Sequence, residues 1–278
     1  MVTIKSEIKT SGNSLMKNKP CEVLIKPSRG GKIRIFSNGA DTSFNAEIDN
    51  LYSTDHCVTL CSKDKRTLLG DYKYKAMLCE HFMAACAICK IDSIDVYLSE
   101  TEFPIFDGSA KVWVELFKNA GIDGENKELY TVSEPVYYLN GKTSLVILPD
   151  NELTISYAVN YDHPDLTRRW VSLDLKNIQE IIEARTFGFY KDLKKYQMLG
   201  FAKGVTIENT VGLKDIGYTT ELRSTHEPIK HKILDLLGDL YLTGVSPLNL
   251  RAQILVKEAG HAVHCKVAQQ LKSKLVKI

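Results

Sequence analysis

Alternating apolar and polar residues dominate the first 75 positions of the chain. The segments "CEVLIKPS", "GKIRIFSN" and "SFNAEIDN" alternate with a period of two, and Gly, Pro, Ser and Asn separate them. Such alternation between turn residues predicts short β-strands that bury one face. We therefore expect residues 1–75 to form short strands joined by turns.

The pattern then changes to helical spacing. We expect a helix over about residues 76–90, a strand at "IDSIDVYLSE", a turn at "TEFPIFDGSA" and a second helix at "AKVWVELFKNAG", which Gly121 ends. The next segment, "GIDGENKELY", is polar and carries two glycines, so it is the best linker in the sequence. It predicts an N-terminal domain at 1–124 and a C-terminal domain at 125–278.

The second half repeats this order. Strands are predicted at "VYYLN", "KTSLVILP" and "ELTISYAVNY", followed by a mixed region at about 171–217, a helix at "HKILDLLGDLYL", a strand at "RAQILVKEAG" and a helix at "AVHCKVAQQLKSKL". Each half thus runs from strands to a helix, a strand and a second helix. This order predicts an α+β fold of two similar two-layer domains, each an antiparallel sheet with helices on one face.

An insertion at about 187–213 predicts a strand, a short helix and a strand. It is unusually rich in Phe, Tyr, Leu and Met. These side chains either line a groove for an apolar ligand or simply dock the insertion on its domain, and composition alone favours neither.

Composition and charge exclude several classes of protein. The chain is 44% hydrophobic and 25% charged, as soluble globular proteins are, and its net charge of +2 gives no electrostatic basis for binding nucleic acid. No signal peptide and no apolar run of membrane-spanning length occurs, so we expect a cytoplasmic protein. Seven cysteines are an odd number, which favours reduced thiols. The CxxC formed by Cys86 and Cys89 lacks a second pair, which favours packing over zinc or redox chemistry.

One predicted helix carries a polar stripe. In "HKILDLLGDLYL", His231, Asp235 and Asp239 recur every four residues opposite a face of leucine and isoleucine. Taken alone, the stripe is better explained as the solvated side of an amphipathic helix than as a row of metal ligands and proton carriers.

A Glu–His pair elsewhere favours the second interpretation. Glu80 and His81 lie in the apolar run "CEHFMAA", where a carboxylate needs a partner or a metal to offset its desolvation. His81, His231 and Asp235 together supply two imidazoles and one carboxylate, a set suited to Zn²⁺ with one position open for water. Glu80, adjacent to a ligand, could act as general base.

Three further residues complete a hydrolytic site. His261 follows Gly260 where a strand gives way to a helix, and it could protonate a leaving amine. A helix N-terminus disfavours a charged imidazole, so His261 needs a nearby anion, for which Asp239 is the natural candidate. Lys232 supplies a cation for a phosphate or a developing oxyanion.

At this point the sequence resembles the zinc-dependent UDP-3-O-acyl-N-acetylglucosamine deacetylases, the LpxC family, which carry out the committed step of lipid A synthesis. The resemblance extends in order through "EHFMAA", "EFPIFDGSAKVWVELFKNAGI", "RTFGFYKDLKKYQMLGFAKG", "IKHKILDLLGDLYLTG" and "AGHAVHCKVAQQL". The HKxLDxxGDLxL run and the DGSA turn are its most specific parts. It implies two domains with the metal in the cleft between them.

The resemblance also implies a role for each site residue. His81, His231 and Asp235 would be the zinc ligands, Glu80 the general base and His261 the general acid supported by Asp239. Lys232 would contact substrate, the Thr186 hydroxyl would help to hold the oxyanion, Phe187 would line the reacting centre, and Tyr161 would lie near the nucleotide. The insertion would form the acyl-chain passage. The implied protein is a zinc-dependent amidohydrolase, expected to be a monomer that contacts a membrane surface only transiently, through the acyl chain.

Two segments depart from the family pattern. The early loop usually resembles GLHTG, but "SGNSLMKNKP" lacks the His, and Leu78 stands where the family favours Thr. Both changes concern the grip on the sugar nucleotide. They leave open a divergent metal-dependent deacetylase of another acylated amino sugar. A non-catalytic binding protein on the same fold and a metal-free protein with a solvated stripe are the remaining alternatives.

Overall fold

The computed structural model describes residues 1–62 and 74–278. Within them the α-helices are α1 (Glu80–Cys89), α2 (Lys111–Ala120), α3 (Ile178–Ile182), α4 (Tyr190–Met198), α5 (Glu227–Tyr241) and α6 (His261–Lys272). The strands are β1 (Thr3–Ile4), β2 (Ile8–Asn13), β3 (Pro20–Pro27), β4 (Ile33–Ser37), β5 (Phe44–Asn45), β6 (Leu51–Ser53), β7 (Thr59–Cys61), β8 (Lys75–Met77), β9 (Ile94–Leu98), β10 (Ile122–Asp123), β11 (Tyr130–Val132), β12 (Val136–Asn140), β13 (Thr143–Pro149), β14 (Thr154–Val159), β15 (Arg169–Ser172), β16 (Thr186–Phe189), β17 (Thr210–Leu213), β18 (Ala252–Lys257) and β19 (Leu275–Lys277). Residues 63–73 of the predicted strand region lie outside the described residues.

Two five-stranded sheets form the framework, in the orders β2–β3–β9–β4–β5 and β12–β13–β18–β14–β15. Their strand pairs are antiparallel except for β4–β9 and β14–β18, which are parallel. Parallel neighbours require a crossover, and α1 lies between β4 and β9 in the chain as α5 lies between β14 and β18. The predicted α+β class and the repeated element order are confirmed. The parallel pair in each sheet was not predicted.

Each sheet buries one face because its strands alternate. In β9, for example, Ile94, Val96 and Leu98 point inward and are buried. Helix α2 packs on β2, and α6 packs on β12 and β13. One cluster of buried apolar residues continues from the first sheet through α1 and α5 to the second. All strands of the first sheet precede residue 124 and all strands of the second follow it, and we retain the boundary between 1–124 and 125–278 as a proposal.

Helix α5 is central to this core. Every residue of α5 except Lys230 is buried, as expected for a helix enclosed by other elements. Pro228 lies in its first turn, where the missing N–H leaves no hydrogen bond unmade. The leucines of α5 therefore pack as predicted, but its polar residues are also inside the protein.

Three predicted boundaries were wrong. The first helix begins at Glu80 rather than 76, because Lys75–Met77 pair as β8 and Leu78 turns the chain with a φ of 58°. Helix α5 begins four residues early, at Glu227, with Pro228 in its first turn. Part of the predicted linker is a β-strand, since Ile122–Asp123 pair with β1.

The insertion has the predicted order of strand, helix and strand. Strands β16 and β17 pair in parallel, with α4 between them in the chain. The "DGSA" turn packs against the main chain of the insertion at Asn209. Gly108 of this turn has a φ of 80°, and a Cβ there would lie 1.7 Å from the carbonyl oxygen of Asn209, so only glycine fits. The carbonyl of Gly108 accepts a hydrogen bond from the Thr186 N–H at 2.7 Å. Within the described residues, no helix combines the length and the apolar character needed to span a membrane.

Candidate active site

The three predicted metal ligands lie together. His81 is the second residue of α1, whereas His231 and Asp235 lie one turn apart on α5. The Oδ1 atom of Asp235 lies 3.4 Å from Nε2 of His231 and 3.7 Å from Nε2 of His81. All three residues are at most 4% exposed, so the interpretation of the stripe as a solvated surface was wrong.

These residues have unpaired acceptor atoms that could bind a metal ion. Within the described part of the chain, Oδ1 of Asp235 is buried without a hydrogen-bond partner, whereas Oδ2 accepts from Lys232 Nζ at 2.7 Å. His231 Nδ1 lies 2.9 Å from the carbonyl oxygen of Ala184 and must donate to it, which leaves Nε2 with a free lone pair. Burial lowers the pKa of His231 to about 4, so its imidazole is neutral. Two imidazole nitrogens and one carboxylate oxygen are a typical Zn²⁺ donor set.

Glu80 begins α1 and reaches the same space. Its Oε2 accepts a hydrogen bond from the Val58 N–H at 3.1 Å, and its Oε1 lies 3.8 Å from Nε2 of His261. Burial raises the pKa of Glu80, against the opposing attraction of His261 and His81. A carboxylate whose proton affinity is raised toward neutrality is suited to act as a base.

His261 lies at the N-terminus of α6, where its predicted anion is present. Its Nδ1 donates to Oδ2 of Asp239 at 2.7 Å. Burial alone would lower the pKa of His261, but Asp239 and Asp235 outweigh it and raise the pKa to about 9. The imidazole is therefore protonated at neutral pH with its Nε2–H toward Glu80, in the state that a general acid requires.

A second histidine on α6 contacts the same carboxylate. His264 Nδ1 lies 2.8 Å from Oδ2 of Asp239, and its Nε2 lies 2.9 Å from the Tyr157 hydroxyl. Sequence reasoning missed both residues. The signal was available in "HAVH", because residues three apart on a helix face the same side.

Asp239, His261 and His264 form a second group with ligand atoms within 4.8 Å of one another. Both imidazoles already donate to the aspartate, and Asp239 and His264 are fully buried. A catalytic metal needs an open coordination position, which this second group does not offer. The first group is the better metal site.

Lys232 and Thr186 have partners of their own. Burial disfavours the charge of Lys232, but the attraction of Asp235 and two tyrosines outweighs it and raises the pKa. The Thr186 hydroxyl donates to the Gly108 carbonyl at 3.1 Å, so it must turn to donate to a substrate. The ring of Phe187 stands edge-on 6.1 Å from His231 and 5.6 Å from Tyr161.

One cavity of about 380 Å³ joins these residues. Every predicted site residue except the fully buried Asp239 lines it, together with Leu15, His56, Leu78, Gly188, Phe189, Asp192, Tyr196 and Leu213. A second cavity of about 270 Å³, mainly apolar, shares Leu15, His56, Thr186, Phe187, Gly188, Phe189 and Tyr196 with the first. Its remaining wall comes from the insertion and Thr219. A polar reacting centre thus continues into an apolar passage.

The sequence profile of one family covers this whole arrangement. The profile of LpxC, described as UDP-3-O-acyl N-acetylglycosamine deacetylase, matches residues 1–273. The chain belongs to the LpxC family. Proteins named UDP-3-O-acyl-N-acetylglucosamine deacetylase are similar over nearly the full length: that of Chlamydia caviae is 32% identical over 97% of this chain and 95% of its own. The protein of Geotalea uraniireducens is 30% identical over 98% of this chain and 88% of its own length. The protein of Leptospira biflexa is 34% identical over 80% of this chain and 74% of its own length.

The two departures from the usual LpxC pattern both lie at this site. Leu15, from the altered early loop, borders both cavities, and Leu78 borders the reacting centre. Both leucines belong to a small apolar cluster with Met16, Cys57 and Ile105. Apolar side chains therefore form this edge of the site.

A buried ion pair, also missed from the sequence, supports this LpxC site from behind. Arg185 donates to Glu227 through its main-chain N–H at 3.0 Å, its Nε at 2.8 Å and a terminal nitrogen at 3.1 Å. Arg185 stands between Ala184, whose carbonyl holds His231, and Thr186. The ion pair of Arg185 with Glu227, the first residue of α5, therefore holds the main chain at Ala184 and Thr186 in place.

The cysteines pack as predicted. Within the described residues none of the seven forms a disulfide, and all but Cys89 are buried. Burial raises the pKa of Cys86 and of Cys89, the latter to about 11, so neither thiol ionises near neutral pH.

Proposed function

We propose that this chain is a zinc-dependent deacetylase of UDP-3-O-acyl-N-acetylglucosamine, which it hydrolyses to the UDP-3-O-acyl-glucosamine and acetate in lipid A synthesis. One observation carries the proposal: a buried His–His–Asp group shares a cavity with a carboxylate and a protonated imidazole, and that cavity continues into an apolar passage. Relatives named for this activity match nearly the whole chain, which supports the substrate.

His81, His231 and Asp235 would hold the metal. Zn²⁺, when bound, acidifies a coordinated water and polarises the acetyl carbonyl. Lys232 keeps Oδ2 of Asp235 occupied, so that only Oδ1 faces the two histidines. The Ala184 carbonyl keeps the His231 lone pair turned toward the site.

Glu80 and His261 divide the proton transfers. Glu80 takes a proton from the attacking water, since its raised pKa makes it a stronger base than an exposed carboxylate. His261 donates its Nε2 proton to the departing amine, and Asp239 stabilises the charged imidazole beforehand. Thr186 and Lys232 donate to the oxyanion that develops at the acetyl carbonyl.

The apolar passage would take the 3-O-acyl chain. Phe187, Phe189, Leu193, Val205 and Ile207 give it a mainly apolar wall, which favours binding of a hydrocarbon by removing it from water. Met198 and Leu199, at the end of α4, are highly exposed and fit the proposal of a transient membrane-surface contact through the acyl chain. Tyr161 would meet the nucleotide.

An acetate-release assay tests the proposal. We expect release from the acylated UDP-sugar, and much slower release from its non-acylated counterpart at equal subsaturating concentrations. Equal rates would contradict the acyl passage. Release only from another acylated amino sugar would favour the divergent deacetylase, and no release from any of them would favour a binding protein.

A further inference from the structure

Asp239 is held by two imidazoles on a single oxygen. His261 and His264 both approach Oδ2, at 2.7 and 2.8 Å, whereas Oδ1 is buried without a hydrogen-bond partner among the described residues. An ionised carboxylate only accepts hydrogen bonds, so each histidine must donate from Nδ1. The orientation of the carboxylate therefore depends on both histidines.

Charge balance fixes the state of His264. Asp239 and protonated His261 already form a neutral pair, and a second proton on fully buried His264 would leave an unpaired positive charge inside the protein. Burial lowers the pKa of His264 in agreement with this, despite the attraction of Asp239. His264 is neutral, with its proton on Nδ1.

The Tyr157 hydroxyl completes the arrangement. With Nδ1 protonated, Nε2 of neutral His264 is an acceptor, and the Tyr157 hydroxyl shares its one proton between that nitrogen, 2.9 Å away, and the Ala259 carbonyl oxygen, 2.8 Å away. Tyr157 belongs to β14, His264 to α6 and Asp239 to α5. The chain of hydrogen bonds therefore joins three elements behind the reacting centre, and neither His264 nor Tyr157 lines the cavity.

We propose that His264 is a positioning residue for the reaction: its Nδ1–H holds the Asp239 carboxylate in the orientation that aligns His261. The proposal rests on the proposed function for the role of His261 as acid. It adds a residue that affects the substrate only through Asp239 and His261. Without His264, Asp239 keeps one hydrogen bond and can turn about its side chain, so His261 loses its alignment.

Substitution of His264 by Asn or Gln distinguishes the hydrogen bond to Asp239 from the hydrogen bond to Tyr157. The side-chain nitrogen of Asn reaches the position of Nδ1, and that of Gln reaches the position of Nε2. H264N can therefore still donate to Asp239, whereas H264Q and H264L cannot. V267A truncates another buried residue of the same helix, whose side chain cannot donate a hydrogen bond to Asp239, and is the matched control for loosening of α6.

Kinetics with the acylated UDP-sugar give the first test. We expect kcat to fall on the order of tenfold in H264L and H264Q, less than the roughly 10²–10⁴-fold contribution of an acid or base itself. KM and zinc content should change little, and H264N should recover much of the lost kcat. Equal kcat in H264L and V267A would overturn the proposal, as would equal losses in H264N and H264L.

Nitrogen-15 NMR of histidine-labelled wild-type protein gives a second test that needs no variant to fold. We expect His264 as a neutral imidazole protonated on Nδ1 only. A His264 that carries no proton on Nδ1 would overturn the proposal. If the wild type releases no acetate, the proposed function fails, whereas the protonation of His264 still decides whether the tether to Asp239 exists.

Discussion

Gly238 of α5 lies against the main chain of Glu80 in α1. A Cβ placed on Gly238 would lie 2.0 Å from the Glu80 carbonyl oxygen, closer than real Cβ atoms approach, and 3.1 Å from the Ala84 nitrogen. This absence of a side chain allows the two helices to meet, and it brings Glu80 and His81 of one helix beside His231 and Asp235 of the other. The lack of a side chain at Gly238 thus allows the spacing of the candidate metal site.

We predict that G238A separates α1 from α5. The extra methyl group must displace main-chain atoms, so the free energy of unfolding should fall by about 1–3 kcal/mol, and zinc affinity should fall with it. Thermal unfolding and metal titration measure the two effects. G30A is the matched control, because a Cβ there meets nothing closer than 3.6 Å. Equal stability of both variants would contradict the role of Gly238.

Removal of one imidazole should remove the metal. We predict about one zinc per chain in the purified wild type and little in H231A, because two ligands no longer form a stable site. Elemental analysis measures this. K230A changes the neighbouring residue on α5, which lies outside the site, and should keep its zinc. Equal zinc contents in H231A and K230A would exclude His231 as a ligand.

Glu80 should affect turnover without affecting metal content. We predict that E80Q binds zinc normally and loses roughly 10²–10⁴-fold in kcat, the usual contribution of a general base. The control is E102Q: Glu102 is also buried and accepts a main-chain hydrogen bond, from Met16 at 2.7 Å, but it does not line the cavity. Normal turnover by E80Q would remove Glu80 from its proposed role.

The alkaline limb of the pH–rate profile should depend on Asp239. The pKa of His261 is raised from 6.5 to about 9, mainly by Asp239 against the effect of burial, and an acid must be protonated to act. Activity should therefore fall as pH rises through the pKa of His261. D239N removes the negative charge, lowers this pKa and moves the limb to lower pH. An unmoved limb in the pH dependence of kcat/KM would assign it to another group.

Sequence periodicity predicted the sheets, most helices and the repeated order of elements, because each strand and helix buries one face. It could not show that α5 is buried all round, since its Lys230, Asp235 and Asp239 are typical of a solvated face. That burial depends on α1 packing across Gly238, a contact between distant parts of the chain. Boundaries failed where a local conformation decided them, as Leu78 does before α1.

The candidate site was predicted in the same uneven way. Residues of types that bind metal or carry protons could be selected by pattern and by resemblance, and the structure brings them together. The spacing in "HAVH" places His264 on the helix face of His261, but the contacts that give His264 and Arg185 their roles are with residues 25 and 42 positions away, Asp239 and Glu227. No local spacing reports such a contact.

Narrowing the apolar passage should discriminate between acyl chains. Val205 is half-buried and lines the passage but not the reacting centre. We predict that V205F raises KM for long-chain substrates and leaves kcat on short-chain substrates close to the wild-type value, because the larger ring fills space that the distal part of the chain needs. L255F, an enlargement at a partly exposed position on β18 away from the passage, is the control. Steady-state kinetics over a series of acyl lengths give the measurement, and an equal change for every length would place the acyl chain elsewhere.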